Sequence, residues 1–507
     1  MGPGGLVLAA IAVAALGFLA RIAVLLGREP GGVDAWYYLA YARAFHRKPG
    51  LRVRLPEYLL QNAEQSYAPV FPSLLGLLKE RFLARHYWVV SPAIDCLTLL
   101  LLMLLTLRLT GEATAALLAG LVYAASPTMV SETRALSPRS FGVLAHAISV
   151  VLLIRALTGP SEGPWIAAAL VAGAIVFLSS ATAMASYLFV ATALAIWLQD
   201  PRPLMLAAAS MAAAFVFSLG HLGRVFANYV HAVRFWIRHR RRFGSHPILD
   251  SPIYGGPRAS ADARPRDPGF MGQGLAPQML RLLGENPFLL ALPLAVPEPF
   301  GWTMALFVWA ASLSAFAVIA TVVWPLRAFG PGRNYMKTAI FPTAFVLAVA
   351  ASRAPLTPVG LLTGLGLIAS AGSVAFFVVY MARKKDEVTA HVPPGLRAIT
   401  ARLAALPEGG VVCLPGGYSD YVTYRSERAV LWGSHSGSLD AFELVSPVWR
   451  ERVEDAARRF GVRYLILESA YVDASVLALD AQCRLIERHE GFELFDLGAP
   501  GASVPAA

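Results

Sequence analysis

Long apolar runs are the feature of this sequence that most restricts its fold. The first run, Gly5–Gly27, is followed by ten more along the chain. A helix needs about 20 apolar residues to cross the hydrocarbon core of a bilayer, so each run predicts one membrane-spanning helix. The sequence therefore predicts a polytopic α-helical membrane protein with about eleven spans. The later runs are 88–108, 113–130, 140–157, 165–180, 182–198, 204–221, 287–299, 302–324, 337–351 and 356–381.

The composition agrees with this assignment, because 56% of the residues are hydrophobic and only 15% are charged. The first run is long for a secretory signal and lacks a basic segment before it, so we interpret it as a span. The stretch Trp165–Leu198 is too long for one span, and Ser179-Ser180 marks the expected division. The run 287–299 is short and contains two internal prolines, which makes it the weakest helix of the set.

The composition changes after Asp386, where helix and strand patterns alternate in a polar background. We therefore divide the chain into a transmembrane domain, 1–383, and a soluble α/β domain, 384–499, which is large enough to form its own core. The patterns predict helices at Gly395–Leu406 and Ala441–Phe460, strands at Val411–Leu414, Ala429–Trp432 and Arg463–Leu467, and a hairpin of Arg484–Arg488 with Phe492–Asp496.

Three of the polar segments between apolar runs contain candidate site residues or surface helices. The first follows the first span and contains two predicted surface helices, Ala35–His46 and Phe71–Phe82. The second, Glu132–Arg139, is short. The third, 222–286, is arginine-rich and continues into a Pro- and Gly-rich loop. With an odd number of spans, these segments, the turn Arg327–Tyr335 and the α/β domain all lie on one side of the membrane.

The charge of the chain bears on the orientation of the protein in the membrane and on its partners. The chain has a net charge of +11, which favours anionic headgroups and phosphates, and no soluble basic module points to nucleic acid. The positive-inside rule places arginine-rich loops in the cytoplasm, although long loops and substrate-binding arginines are not topology signals. We expect a multi-pass cell-membrane protein with this side extracytoplasmic, and the sequence leaves the absolute orientation open.

Asp34 lies where the chain leaves the first span, and it opens the predicted amphipathic helix VDAWYYLAYARAF. An acid at the membrane surface has the chemistry of a general base that deprotonates an acceptor. Aspartate is also a common residue at helix N-termini, where it caps free backbone N–H groups. The sequence leaves both interpretations open.

Other charged residues are candidates on similar grounds. Glu132 and Arg139 lie in SETRALSPRSFG, where a carboxylate is interfacial, binds a metal or steadies a guanidinium group. Asp95 and His146 lie inside predicted spans, where ionisable groups are costly and serve either function or helix–helix hydrogen bonding. No CxxC or HExxH spacing is present, so the sequence leaves a metal site undetermined.

The turn PLRAFGPGRNYMK carries Arg327, Arg333 and Tyr335. Guanidinium forks and the backbone N–H groups of a glycine-rich turn both suit phosphate oxygens, so this turn is predicted to bind phosphate. Arginines that extend to the membrane interface are the alternative. The arginines of 238–242 are predicted to contact anionic headgroups. In the tail, LPGGYSDY is a candidate binding loop without GxGxxG, and GSHSGS is a polar loop.

Several of these stretches together resemble the GT-C glycosyltransferase superfamily, which includes protein O-mannosyltransferases, lipid A aminoarabinose transferases and the catalytic subunit of oligosaccharyltransferase. The resemblance covers about residues 1–380. It is carried by VDAWYYLAYARAF, YAPVFPSLLGLL, SPRSFGVLAHAISVVLLIRAL and the arginine-containing turn before YMKTAIFP.

The resemblance implies a GT-C core, a polyprenyl-phosphate-linked sugar as donor, and a catalytic base in the first external loop, which falls on Asp34. It also implies that Arg327 and Arg333 hold the donor phosphate. Glu132 is similar to the second-loop carboxylate of metal-dependent members, so no cofactor is certain and a divalent cation stays open. The tail lacks the WWDYG motif of oligosaccharyltransferases, which argues against transfer to peptide asparagine.

The favoured function is an integral membrane glycosyltransferase. One alternative is a transporter or flippase of a lipid-linked or anionic substrate, although the paired repeats common in transporters are missing from this sequence. The other is a non-catalytic assembly subunit whose α/β domain binds a partner. The expected partners are the lipid-linked donor, a lipid, glycan or protein acceptor, and membrane lipids. The sequence identifies neither the sugar, the acceptor, the oligomeric state nor the role of the α/β domain.

Overall fold

The computed structural model describes residues 3–23, 25, 33–61, 65–159, 162–242, 245–254, 273–298, 301–383, 392–434, 439–479 and 483–498. The helices are α1 (Pro3–Ile22), α2 (Val33–Arg47), α3 (Val70–Gly76), α4 (Glu80–Thr110), α5 (Ala113–Ala124), α6 (Pro127–Glu132), α7 (Pro138–Thr158), α8 (Glu162–Phe177), α9 (Ala181–Leu198), α10 (Arg202–Phe217), α11 (His221–His239), α12 (Leu275–Glu285), α13 (Gly301–Val322), α14 (Arg333–Arg353), α15 (Pro358–Arg383), α16 (Pro394–Ala404), α17 (Ser419–Ser426), α18 (Leu439–Phe442), α19 (Val453–Arg459) and α20 (Ala474–Leu477). The strands are β1 (Gly410–Leu414), β2 (Val462–Glu468), β3 (Arg484–His489) and β4 (Phe492–Asp496). Of the predicted loops, 255–269 in the Pro- and Gly-rich segment and 435–438 in GSHSGS lie outside the described residues.

Every predicted apolar run except 287–299 forms a helix within the described residues. Seven helices there are long and apolar enough to cross a membrane, namely α1, α4, α7, α9, α13, α14 and α15. α5 and α8 are apolar but shorter than these seven helices. α10 and α11 follow one another with a bend of 113° between them. The predicted division of Trp165–Leu198 is confirmed, because Ser180 caps α9 by accepting a hydrogen bond from the Ala183 N–H at 3.2 Å.

The run 287–299 is predicted as a span, but its described part is not an α-helix. It consists of two 3₁₀ turns, Pro287–Leu290 and Leu292–Leu294, because the prolines within it have no backbone N–H to donate. Phe288 packs so closely on Gly366 of α15 that a β-carbon would not fit between them. Irregular backbone at membrane depth is tolerated where it is buried in protein in this way.

Two ion pairs identify the ends of the helical bundle. Arg353, the last residue of α14, pairs with Glu112 before α5 at 3.2 Å. Lys337, in the first turns of α14, pairs with Glu132 at the end of α6. Lys337 and Arg353 lie in the same helix, and the rise of an α-helix over that distance in sequence separates the two pairs by about 24 Å. We call the Glu132 end the site end.

The segment after α12 leads from the site end to the other end of the bundle. Glu285, the last residue of α12, contacts Arg333 at the start of α14. α13 begins at Gly301, and its last turn lies at the site end. There the Thr321 side chain is so close to Gly332 that a β-carbon on Gly332 would not fit. The chain between Glu285 and Gly301 therefore connects opposite ends, and the described helices alternate across the bundle in the predicted order.

The charged residues inside the spans form a buried connection between helices. Arg21 of α1 forms an ion pair with Asp95 of α4, and Tyr123 of α5 donates a hydrogen bond to the other Asp95 oxygen at 2.6 Å. For Asp95 the structure supports helix–helix hydrogen bonding, because pairing stabilises a carboxylate in apolar surroundings. His146 lies in the bundle core, edge-on to Trp309 with ring centroids 5.3 Å apart.

The α/β unit contains one mixed sheet with the strand order β1-β2-β4-β3. β1 and β2 are parallel, with Val412 opposite Leu465, and β4 runs antiparallel to β2 and β3. The predicted hairpin is confirmed as β3–β4. The prediction of a strand at Ala429–Trp432 is wrong. Val430 forms one isolated bridge to Val411 of β1 and one to Tyr58 of the first loop, and the segment does not extend these bridges into a strand.

Two predicted helices are shorter than expected. The helix predicted at Phe71–Phe82 ends at Gly76, since glycine has a low helix propensity, and a separate helix begins at Glu80. The helix predicted at Ala441–Phe460 divides into α18 and α19. The Pro447 between them has no N–H to donate, and the Trp449 N–H donates to the backbone of the arginine-rich segment instead.

The α/β unit packs directly on the first loop, so core residues lie on both sides of the predicted domain boundary. The Val430 N–H donates to the Glu57 carbonyl at 2.7 Å. Trp36 of α2 packs edge-on against Tyr421 of α17, with 5.1 Å between ring centroids. The division of the chain into two domains stays a prediction.

The predicted binding loop LPGGYSDY lies at this junction. Its Asp420 is fully buried beside Tyr58 of the first loop and accepts a hydrogen bond from the Ser434 N–H at 2.9 Å. Burial raises the pKa of Asp420 to about 6, and the hydrogen bond from Ser434 opposes this effect only in part. The loop therefore buries an acid between the first loop and the α/β unit.

Replacing Asp95 with alanine leaves Arg21 as an uncompensated buried cation, and we expect a loss of about 3–5 kcal/mol of stability. The pair of changes Arg21→Met and Asp95→Leu should cost less, because no charge remains buried. Melting of the detergent-solubilised protein measures both, with Glu112→Gln at the far end as the control, where we expect at most about 1 kcal/mol. Equal Tm values for Asp95→Ala and Glu112→Gln would contradict this role.

Asp420 predicts a pH dependence of stability. Because folding raises its pKa from 3.8 to about 6, the folded protein retains a proton that the unfolded chain has released between these values. Its stabilising contribution is complete below the lower value and is lost as the pH rises through 6, which corresponds to about 3 kcal/mol.

Asp420→Asn removes this titration and keeps an acceptor for Ser434. We expect the variant to melt above the wild type at pH 8 and to lose this advantage at pH 4.5. A difference in Tm that does not change with pH would show that Asp420 does not titrate in this range.

Candidate active site

A cavity of about 1920 Å³ lies at the site end of the bundle. Among the described residues, six basic and three acidic side chains line it, which gives a net positive charge suited to an anionic ligand. They are Asp34, Glu132, Arg134, Arg139, Arg234, Arg281, Glu285, Arg333 and Lys337. The polar segments predicted to share one side of the membrane therefore meet around Asp34.

Glu132 is the centre of the charged cluster in this cavity. Its Oε1 accepts a hydrogen bond from Arg139 Nη1 at 2.7 Å, and its Oε2 pairs with Lys337 Nζ. The side chains of Glu132 and Lys337 are only 8% and 9% exposed. Burial raises the pKa of Glu132, but the charges of Lys337 and Arg139 outweigh burial and lower it to about 2. Glu132 is therefore ionised at neutral pH and balances two cations.

Arg139 connects this cluster to Asp34. Its Nη2 lies 3.9 Å from Asp34 Oδ2, while its Nη1 binds Glu132. Asp34 is the second residue of α2, inside the first turn, and its side chain is 27% exposed. The carboxylate is thus held beside a guanidinium group and remains accessible from the cavity.

A second acid, Glu285, holds two further arginines in the wall. Its Oε1 accepts hydrogen bonds from Arg281 Nε at 2.8 Å and from Arg333 Nη1 at 3.1 Å. Arg333 opens α14, one helical turn before Lys337, whose Nζ also donates to Asn334 Oδ1 at 2.9 Å. The start of α14 therefore supplies two cations to the same cavity.

The other two residues of the predicted phosphate-binding turn are placed differently. Arg327 lies outside the described lining of the cavity, and its guanidinium donates to the backbone carbonyls of Thr321 and Gln273, both at 3.0 Å. Tyr335 lies in the cavity wall, but its hydroxyl donates to the Phe329 carbonyl at 3.0 Å. Both side chains stabilise the turn, and Arg333 is the residue of the three that presents charge to the cavity.

Lys337 and Glu285 were not identified as site residues from the sequence. Lys337 is the first residue of a predicted span, a position typical of a lysine at the membrane interface. Glu285 is a single acid at the end of an arginine-rich segment. The available signal for Lys337 was its position in an otherwise apolar helix, since charged residues within spans are costly and often functional.

The rest of the cavity wall is apolar and lies between spanning helices. Phe189 of α9 and Phe316 of α13 pack with ring centroids 3.8 Å apart. Phe376 and Phe377 of α15 line the same surface. An apolar surface between spans, next to a cationic cluster, suits a hydrocarbon chain that ends in an anionic group.

The helix α11 forms another wall and is held by the α/β unit. Arg238 Nη1 and His239 Nε2 contact Glu443 Oε1 at 2.7 Å and 3.3 Å. Phe235 packs on Phe442, with 5.8 Å between ring centroids. Arg238 therefore binds a protein carboxylate, while contact of the remaining arginines of 238–242 with headgroups stays a prediction.

No protein-family model matches the chain, and no curated protein matches its sequence. Its fold is similar to that of the crystal structure of ArnT from Cupriavidus metallidurans bound to undecaprenyl phosphate, with a TM-score of 0.60, 13% identity and 100% of both chains covered. It is also similar to the archaeal oligosaccharyltransferase AglB from Archaeoglobus fulgidus in complex with an inhibitory peptide and a dolichol-phosphate. There the TM-score is 0.55 and the identity 12%, over 91% of this chain and 69% of that chain.

A third similar structure is the arabinofuranosyltransferase AftD from Mycobacteria, with a TM-score of 0.50 and 14% identity. The match covers 98% of this chain and 42% of that chain. These three structures share the fold of this chain, so the predicted fold class, a polytopic α-helical membrane protein with a C-terminal α/β unit, is confirmed.

Proposed function

We propose that this chain, which has the fold of the GT-C membrane glycosyltransferases, transfers a sugar from a polyprenyl-phosphate-linked donor to an acceptor at the extracytoplasmic membrane face. The observation that carries the proposal is the composition of one cavity. Asp34, a cluster of cations and an apolar wall between spans all face the same space of about 1920 Å³.

The two halves of this cavity support a lipid-linked donor. The polyprenyl chain lies along the apolar wall at Phe189, Phe316 and Phe376, where its transfer from water is favourable. Its phosphate lies against Arg333 and Lys337, because guanidinium and ammonium groups bind phosphate oxygens through charge-assisted hydrogen bonds. The similar structures support this class of donor, since ArnT is bound to undecaprenyl phosphate and AglB is in complex with a dolichol-phosphate.

Asp34 acts as the general base. It accepts the proton of the acceptor hydroxyl while the acceptor oxygen bonds to the anomeric carbon of the sugar. The bond between that carbon and the phosphate oxygen breaks, and its electron pair goes to the phosphate. The cations stabilise the charge that develops on the leaving polyprenyl phosphate. Arg139, 3.9 Å from Asp34, keeps the carboxylate in place before the proton arrives.

Asp34→Asn tests the base. We expect sugar transfer from a lipid-linked donor fraction to fall about 100- to 10,000-fold, which is the usual contribution of a positioned general base. Expression and Tm should stay close to those of the wild type, because the asparagine has nearly the same shape. Glu80→Gln is the matched control, since this acid lies on the same side of the membrane, outside the described lining of the cavity, paired with Arg43. Transfer by Asp34→Asn equal to that of Glu80→Gln would remove Asp34 from the mechanism.

Arg333→Met and Arg327→Met test the placement of the phosphate. Arg333 faces the cavity, so its loss should weaken undecaprenyl phosphate binding about 10- to 100-fold, as expected for a hydrogen bond to a charged group. Arg327→Met should instead lower Tm, because this guanidinium binds backbone carbonyls, and should leave the lipid affinity close to that of the wild type. The reverse pattern in a lipid-binding titration would place the phosphate at Arg327.

A further inference from the structure

The resemblance leaves a divalent cation open, and the place for it would be between the two carboxylates of the cavity, Asp34 and Glu132. That place is taken by the side chain of Arg139. Its Nη1 lies 2.7 Å from Glu132 Oε1 and its Nη2 lies 3.9 Å from Asp34 Oδ2. A fixed guanidinium group therefore bridges the two acids.

The second oxygen of Glu132 is also bound by a cation. Lys337 Nζ pairs with Oε2, so both oxygens of this carboxylate face protein cations. A divalent ion at Glu132 would be repelled by both cations at contact distance. Within the described part of the chain, no group of three His, Cys, Asp or Glu residues is arranged to hold a metal ion. The residues of this cavity do not fit a resident metal.

We infer that Arg139 and Lys337 take the electrostatic place of a divalent cation, so that lipid-phosphate binding and sugar transfer need no metal. The inference rests on the proposed function. Lys337 Nζ has three N–H donors, of which Glu132 and Asn334 occupy two. The third serves an oxygen of the donor phosphate.

The charge balance of the cluster fits the reaction. Asp34, Glu132, Arg139 and Lys337 together are neutral before reaction, with two carboxylates against two cations. When Asp34 accepts the proton of the acceptor hydroxyl, the cluster gains one positive charge. The phosphate gains one negative charge as its bond to the sugar breaks. The cluster gains its positive charge in the same step in which the phosphate gains its negative charge. The cluster therefore stabilises the leaving phosphate without a metal ion.

Burial strengthens the ion pair between Glu132 and Lys337, because charges attract more strongly where water is excluded. Glu132 is 8% exposed, and its two partners come from separate helices, α7 and α14. The charges of Lys337 and Arg139 lower the pKa of Glu132 to about 2, so this acid is ionised at neutral pH and pairs with both cations. Lys337 is therefore a positioned cation with a defined partner.

Two measurements on the purified full-length protein test the inference. The first is the binding of Mn²⁺ to EDTA-treated protein, measured by electron paramagnetic resonance. The second is the affinity for undecaprenyl phosphate, measured with EDTA and again with Mn²⁺. We expect no stoichiometric Mn²⁺ binding and the same lipid affinity under both conditions. Lys337→Met should weaken lipid binding about 10- to 100-fold with or without Mn²⁺.

Arg353→Met is the matched control, because it removes a cation from the other end of the same helix. Lys337→Met alone leaves Glu132 with one partner and is at risk of misfolding. The double variant Glu132→Gln with Lys337→Met removes both charges, and we expect it to fold and to show the same loss of lipid affinity.

Stoichiometric Mn²⁺ binding that strengthens lipid binding would overturn the inference and leave the proposed function standing. Lipid affinity of the double variant equal to that of Arg353→Met would also overturn it. A wild type that binds undecaprenyl phosphate under neither condition would refute the proposed function, and the inference with it.

Discussion

The balance of charge around Glu132 is the interaction on which the site end of this protein depends. One buried carboxylate from α6 holds Arg139 from α7 and Lys337 from α14. Loss of Glu132 would leave both cations without the acid that they share, so the three helices have one favoured arrangement. The same arrangement places the guanidinium of Arg139 beside Asp34, and thereby sets the geometry of the candidate base.

Similar internal pairing organises the rest of the bundle. Arg21 and Asp95 connect α1 and α4 in the apolar interior, and Glu112 with Arg353 connects α5 and α14 at the far end. The described part of the segment after α12 forms 3₁₀ turns rather than an α-helix, and its residues Phe288, Ala291 and Leu292 are buried in contact with the bundle. The bundle is thus held at its middle and at both ends by groups that satisfy one another.

The α/β unit contributes to the cavity from outside the membrane. It packs on α2, which carries Asp34, and Glu443 holds the end of α11, which forms another wall. The α/β unit therefore supports two walls of the cavity, although none of the charged residues described for the cavity lining belongs to this unit. This arrangement gives the unit a supporting role, and it explains why core residues lie on both sides of the predicted domain boundary.

The sequence by itself determined that the chain is a polytopic helical membrane protein with an α/β tail, because apolar length and residue pattern are local properties that no distant contact reverses. Only the tertiary structure decided which charges share the cavity. Arg327 and Arg333 lie six residues apart in one turn, yet one binds backbone carbonyls and the other faces the cavity. Lys337 became part of the site through Glu132, a partner on another helix. Such pairings depend on how helices are brought together, and the physical reason is that a charge in an apolar interior takes its role from the opposite charge beside it.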